Sequence, residues 1–288
     1  MRRRRRAEGA WLPVALLAAM TAAWAAADEL QFRGSWLQGG LILGRVAPAV
    51  RVSLAGAEVT VGRDGWFLVG LGRDAPGEAE LTLTDPLGSR TYRFAVQRRE
   101  YPVQRVDGVP ERTVTPPPEV LRRIRREQEL VDRARAAVSP RQDFLDGFSR
   151  PLEGPVTGVY GSARIYNGVP RSPHYGLDIA APAGALVRAP ASGVVRLVQP
   201  DLYFSGGTLI VDHGQGLSST FIHLSEILVA EGDELRRGDP IARVGATGRA
   251  TGPHLDWRMN WRGERIDPEL VLRDFPAGVQ TPMLGLRP

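Results

Sequence analysis

The chain has 288 residues, 43% of them hydrophobic and 24% charged, enough for one or two globular domains. Cysteine is absent, which excludes disulfides, thiol catalysis, iron–sulfur clusters and cysteine zinc fingers, so any metal site must draw on His, Asp and Glu. The net charge of +5 rests on Arg2–Arg6; with that run and Glu8 set aside, 32 basic and 31 acidic residues nearly balance, which argues against a nucleic-acid partner.

The N-terminus comes first. Arg2–Arg6 form a basic n-region, Trp11–Met20 an apolar h-region, and Ala25-Ala26-Ala27 a small-residue cleavage site. Residues 1–27 therefore read as an export signal, and the chain is expected outside the cytoplasm, in the periplasm or cell envelope. Contact with a membrane is expected only if this segment stays uncleaved.

Residues 28–110 carry strand character. Val50, Val52 and Leu54 alternate with Arg51 and Ser53, and Tyr92, Phe94 and Val96 with Arg93 and Ala95. Period two predicts half-buried antiparallel strands, and their short spacing predicts a small β-sandwich, immunoglobulin-like in type. Arg63-Asp64-Gly65 is predicted to close a hairpin between Val59–Val61 and Trp66–Val69. No histidine lies in this module, so it reads as a spacer or recognition unit without chemistry.

Residues 111–141 read as a linker helix. Pro118 suits a first helical turn, and Val120, Ile124, Val131, Ala134 and Val138 mark one face before Ser139-Pro140 ends the pattern. Its arginines alternate with Glu119, Glu127, Glu129 and Asp132, a solvated face rather than a polybasic patch. From 142 to 288, Gly and Pro punctuate short β-runs, a second all-β domain with a short helical pattern at Pro268–Leu272. Arg237-Gly238-Asp239 spells an adhesive tripeptide, but two Gly-Asp turns around a short strand explain it without that role.

All four histidines, His174, His213, His223 and His254, fall in the last 115 residues. Two have carboxylates at even spacing: His174 with Asp178, and His254 with Asp256. On a strand, even spacing places both side chains on one face, where they can share a metal or simply a hydrogen bond. On the second strand Leu255, Trp257 and Met259 face the opposite way and supply the core.

The surrounding order narrows these alternatives. His174-Tyr175-Gly176-Leu177-Asp178, Asp212-His213-Gly214, Phe221-Ile222-His223-Leu224-Ser225, Gly245–Arg249 and Thr251-Gly252-Pro253-His254-Leu255 follow in sequence. Over about residues 150–270 this succession resembles the lysostaphin-type, LytM-like zinc metallopeptidases that cut peptide cross-bridges of bacterial cell walls. The resemblance implies an antiparallel β domain of the duplicated hybrid motif type, zinc as cofactor, and peptidoglycan peptides and other cell-wall enzymes as partners. It assigns His174 and Asp178 to the metal and His223 and His254 to catalysis, and leaves His213 structural. The family's closing HxH motif stands here as His254-Leu255-Asp256, so the third ligand position is Asp256. Zinc accepts carboxylate oxygen, but two aspartates formally neutralise a dication, and Arg258 shares their face and offers Asp256 a salt bridge instead. Arg164, Tyr166 and Asn167, just ahead of the first motif, read either as a substrate-groove loop or as a plain surface loop. The function so implied is zinc-dependent hydrolysis of peptidoglycan cross-links. The alternative is a metal-free degenerate peptidase that binds the wall or activates a wall amidase.

Overall fold

The computed structural model describes residues 30–107, 116–279 and 283–286; the export-signal expectation for residues 1–27 lies outside them. Eight strands come first: β1 (Leu30–Gly34), β2 (Leu41–Arg45), β3 (Arg51–Leu54), β4 (Ala57–Val59), β5 (Trp66–Gly70), β6 (Glu78–Asp85), β7 (Gly88–Ala95) and β8 (Val103–Val106). Helix α1 (Pro118–Arg135) follows, then β9 (Val156–Gly158), β10 (Ala163–Tyr166), β11 (Val169–Arg171), β12 (Leu177–Ala180) and β13 (Leu186–Arg188). The chain continues through β14 (Gly193–Leu202), β15 (Gly206–Gly214), β16 (Leu217–Ile227), β17 (Glu234–Leu235) and β18 (Pro240–Val244). It ends with β19 (His254–Trp261), β20 (Glu264–Ile266), helix α2 (Pro268–Asp274) and β21 (Leu284–Leu286).

The first module is a pair of antiparallel four-stranded sheets, ordered β21-β1-β2-β5 and β4-β3-β6-β7. Alternation works as expected: Val52 is buried and Arg51 exposed, Tyr92 and Phe94 are half-buried and Arg93 exposed. The predicted hairpin at Arg63-Asp64-Gly65 does not form. Its turn is present, with Gly65 N donating to Gly62 O at 2.9 Å, but β4 pairs with β3 and β5 with β2 in the other sheet. The turn hands the chain from one layer to the other. Both outcomes bury the same alternating residues, so periodicity cannot separate them.

Helix α1 begins with Pro118 in its first turn, as its fixed φ favours, and none of its residues is fully buried. Val120, Ile124, Val131 and Ala134 form a half-buried stripe against β14 and β15, while Val138 lies beyond the helix and is exposed. Arg123 ties the helix down, meeting Glu127 at 2.5 Å and Asp201 at 3.0 Å, and Glu127 in turn accepts from Tyr203 N at 2.8 Å.

The second module is one large antiparallel sheet ordered β17-β14-β15-β16-β19-β12-β9, extended by β13, β18 and β20. One face packs the core through Leu209, Val211, Phe221, Leu255, Trp257 and Met259, each no more than 0% exposed. The elements of the two halves interlock: β8 pairs in parallel with β10, and β21 pairs with β1. Asp267, buried at the N-cap of α2, accepts from Glu269 N and pairs with Arg99 at 2.7 Å. Gly70 has no room for a Cβ because Trp261 and Ile266 pack directly upon it.

Candidate metal centre and cleft

The centre grows from strand register. Asp178 on β12 stands opposite Asp256 on β19, and Ile222 on β16 stands opposite Asp256 from the other side. Paired residues point to one face, so Asp178, Asp256 and, two residues along, His254 and Arg258 share it. His174 is not on the strand, as its spacing predicts; it lies three residues ahead, held by His174 N to Ser162 O at 2.9 Å and Gly161 N to His174 O at 2.7 Å. From there its ring still reaches the two carboxylates.

His223 reaches the same face by an irregularity. By alternation with Ile222 it would point into the core. At this residue β16 leaves β19 and takes up β18, with Leu224 opposite Val244, and His223 adopts φ +65°. The left-handed backbone, uncommon for a non-glycine residue, resets the alternation and turns the imidazole toward Asp256. Its ring centroid lies 4.9 Å from that of His254.

Three potential donor atoms converge, from His174, Asp178 and Asp256, all buried and within 4.8 Å of one another. His174 Nδ1 donates to Val159 O at 3.1 Å, which leaves Nε2 free to face the carboxylates. Nε2 lies 2.9 Å from Asp178 Oδ1 and 3.4 Å from Asp256 Oδ2. Asp178 Oδ1 is buried and has no hydrogen bond of acceptable angle, the condition of an oxygen that a cation would complete. A bare imidazole nitrogen and carboxylate oxygens are the ligand set of zinc and similar divalent metals, so the residues fit one.

Both aspartates also carry an arginine. Arg164 Nη2 donates to Asp178 Oδ2 at 3.2 Å, and Arg258 forks onto Asp256 through Nε at 2.9 Å and Nη2 at 2.6 Å. The salt bridge anticipated from the Asp256–Arg258 spacing is therefore made, and Asp256 Oδ2 faces His174 at the same time. Burial works against the Asp256 charge, yet Arg258 and His174 outweigh it and hold the carboxyl well below its usual range. Burial likewise opposes a charged His174, but Asp256 and Asp178 raise it above its ordinary value. With each aspartate balanced by a guanidinium, the pair of carboxylates does not cancel the charge of a bound dication.

Two of the donor residues, Asp178 and Asp256, open into a cleft of about 310 Å³ that Arg164, Tyr166, His223, His254 and Arg249 also line. Asn167 is not part of that lining. It is exposed and takes the left-handed position, φ +49°, of the tight turn between β10 and β11. Arg249, the end of the Gly245–Arg249 motif, lines the cleft without having been assigned a role, and Gln104 does so without any signal in the sequence, because the folding of β8 beside β10 brings it there. His213 is fully buried elsewhere, bonded to Ser192 O at 2.7 Å and Ser219 Oγ at 2.8 Å and packed edge-on to Phe148.

Gly176 shows how tight the centre is. A Cβ there would overlap Asp256 Oδ1. Gly176→Ala is expected to displace that carboxylate, and equilibrium dialysis should find bound metal reduced at least tenfold with the circular dichroism of the fold retained. Unchanged metal content would show that Asp256 contributes nothing to the site.

The sequence profile of peptidase family M23 matches residues 172–268, which contain every histidine and carboxylate of the centre. Peptidoglycan DD-endopeptidase ShyB of Vibrio cholerae is 37% identical over 126 residues, covering 44% of this chain and 27% of that protein. DD-carboxypeptidase/endopeptidase Mpg of Neisseria meningitidis serogroup B is 38% identical over 107 residues, covering 37% of this chain and 24% of that protein. The chain thus spans about a quarter of the length of these curated relatives. A Pseudomonas aeruginosa crystal structure assigned to peptidase M23 superposes with a TM-score of 0.65 at 33% identity, covering 83% of this chain and 95% of that one. With the likeness extending over nearly all of that structure and most of this one, this chain belongs to peptidase family M23.

Proposed function

We propose that the chain is a metal-dependent endopeptidase, exported to the cell envelope, that hydrolyses peptide cross-links of bacterial peptidoglycan. One observation carries the reading: three buried donor atoms converge, and two of their residues, Asp178 and Asp256, line the same cleft as two further histidines that hold no place among the donors. The family and its peptidoglycan-cleaving relatives support it.

His174, Asp178 and Asp256 would hold a divalent metal, zinc by donor chemistry. Such an ion supplies Lewis acidity toward a carbonyl and toward water. The rest falls to the chain. His223 donates Nδ1–H to Thr247 O at 2.8 Å, and His254 donates Nδ1–H to Gly252 O at 2.8 Å. A carbonyl only accepts, so both rings, when neutral, turn an unprotonated Nε2 toward the cleft. Burial lowers His223 to about 4 despite the nearby Asp256, so its ring stays neutral and orients the attacking water by accepting from it. His254 is only half-buried at the rim, where it takes the proton and returns it to the leaving amine. Arg164 and Tyr166 bound the groove in which the peptide lies.

The test is digestion of purified sacculi by the purified protein with and without a chelator, beside its metal content. Release of cross-link fragments that stops on chelation and returns with zinc is expected. Metal-replete protein that releases none would support the binding or amidase-activating role instead.

The His223 environment also predicts a pH signature in the chelated protein. Between about pH 6.5 and about 4 the unfolded chain binds a proton at this ring and the folded chain does not. This group's contribution is therefore complete above the ordinary value and declines as pH falls through that window, by up to about 3 kcal/mol. Urea unfolding from pH 7 to pH 4 should show His223→Gln losing that part of the slope. Parallel slopes for the two proteins would mean that the ring is protonated in the folded chain.

A further inference from the structure

The sheet face that bears the metal centre does not end at Arg258. Asn260 lies two residues further along β19, and Thr220 stands opposite Arg258 on β16. Over this stretch lies the C-terminal end of α1, whose Arg135 donates through Nη2 to Thr220 Oγ1 at 3.2 Å. Between helix and sheet is a cavity of about 530 Å³ lined by Asp132, Arg135, Asn260, Arg262 and Arg265.

Three arginines line this cavity, and among the described residues none of them has a carboxylate within ion-pair distance. Arg135 Nε is buried with no acceptor, and Thr220 is the acceptor for the rest of its head. Arg262 donates to Glu58 O and Thr60 Oγ1, while its own Nε is buried and unsatisfied. Arg265 donates to the side chain of Asn260. Burial pushes all three below the ordinary arginine range, and for Arg135 the repulsion of Arg265 and Arg258 adds to it, against a smaller attraction from Asp132 and Asp256. Asp132, the carboxylate on the wall, accepts from Gln128 at 2.7 Å on the helix surface. Like charges gathered at a partly buried wall, two of them with a buried and unmet Nε–H, are costly unless an anion joins them.

We propose that this cavity is an oxyanion-binding site that takes one carboxylate or phosphate group between Arg135, Arg262 and Arg265. Planar guanidinium forks match either group in geometry. Because the cavity continues the face of the metal centre, the group is either a free anion or a carboxylate of a peptide lying along the sheet. The peptide source rests on the peptidase reading, whereas the free anion does not.

The test is titration calorimetry at constant ionic strength on the purified protein and on Arg135→Met and Arg265→Met. The probes are inorganic phosphate, a pentapeptide with one glutamate, and its glutamine counterpart. Saturable binding of phosphate or of the glutamate peptide, weakened at least tenfold in both variants, is expected. Phosphate in common with the glutamate peptide identifies a free-anion site; the glutamate peptide alone identifies a substrate carboxylate. Arg135→Met removes an unpaired buried charge, so in chloride its unfolding temperature should equal or exceed that of the parent. Absence of binding by all probes, or binding equal in all three proteins, would place any anion elsewhere and overturn the proposal. Sacculus digestion, measured separately, reports on the peptidase reading whichever way the calorimetry falls.

Discussion

His223→Ala and His254→Ala are each expected to slow cross-link hydrolysis by about 10²–10⁴ while leaving metal content unchanged. Neither ring is among the converging donors, and each has its Nδ1 committed to a backbone carbonyl. Alanine is no more at ease than histidine at φ +65°, so circular dichroism should accompany the rate to show that the His223 variant stays folded. Single-turnover digestion of sacculi beside metal analysis decides the matter. A variant that released its metal while still folded would show its histidine to be a ligand, and the division of roles would fail.

Asp256→Ala is expected to act twice. It takes away one of three donors, so bound metal should fall at least tenfold. It also leaves half-buried Arg258, which forks onto that carboxylate, as an unpaired cation, at a cost of about 1–3 kcal/mol in stability. The two losses separate in Asp256→Ala/Arg258→Met, which should recover most of the stability and none of the metal. For the same reason Asp256→His, which restores the HxH motif, should bind metal well only when Arg258→Met accompanies it. The aspartate and the arginine two residues on form one electrostatic unit. If Asp256→Ala left metal content untouched, Arg258 would be the sole business of Asp256, and the metal-free binding role would gain support.

Much of the centre is legible in the sequence because even spacing on strands survives folding. His254 and Asp256 share a face for that reason, and the possible grip of Arg258 follows from the same count. For His174 the strand count misplaces the backbone, which is loop held by Ser162 and Gly161, and only the motif joins its ring to the centre. His223 is the residue that alternation places wrongly, and only the change of strand partner within β16 corrects it. Asn167 shows the converse: adjacency to Tyr166 in sequence does not survive a tight turn. The helix was legible as amphipathic, yet nothing in its periodicity tells that Arg135 would settle over Thr220 on the face of the centre. Long-range placement of that kind depends on sheet order, which hydrophobic pattern leaves open.

The pairing of β21 with β1 joins residues 284–286 to residues 30–32. The outer strand of the first sheet is thus supplied by chain made some 250 residues later than its neighbour. Until then β1 offers a free row of N–H and C=O groups on a sheet otherwise ready to fold, and such an edge templates pairing with another chain. Shortening the chain after α2 would make that interval permanent. The foreseeable defect is then self-association through β1 rather than damage to the distant cleft, and a fusion placed directly after residue 286 would crowd the same edge.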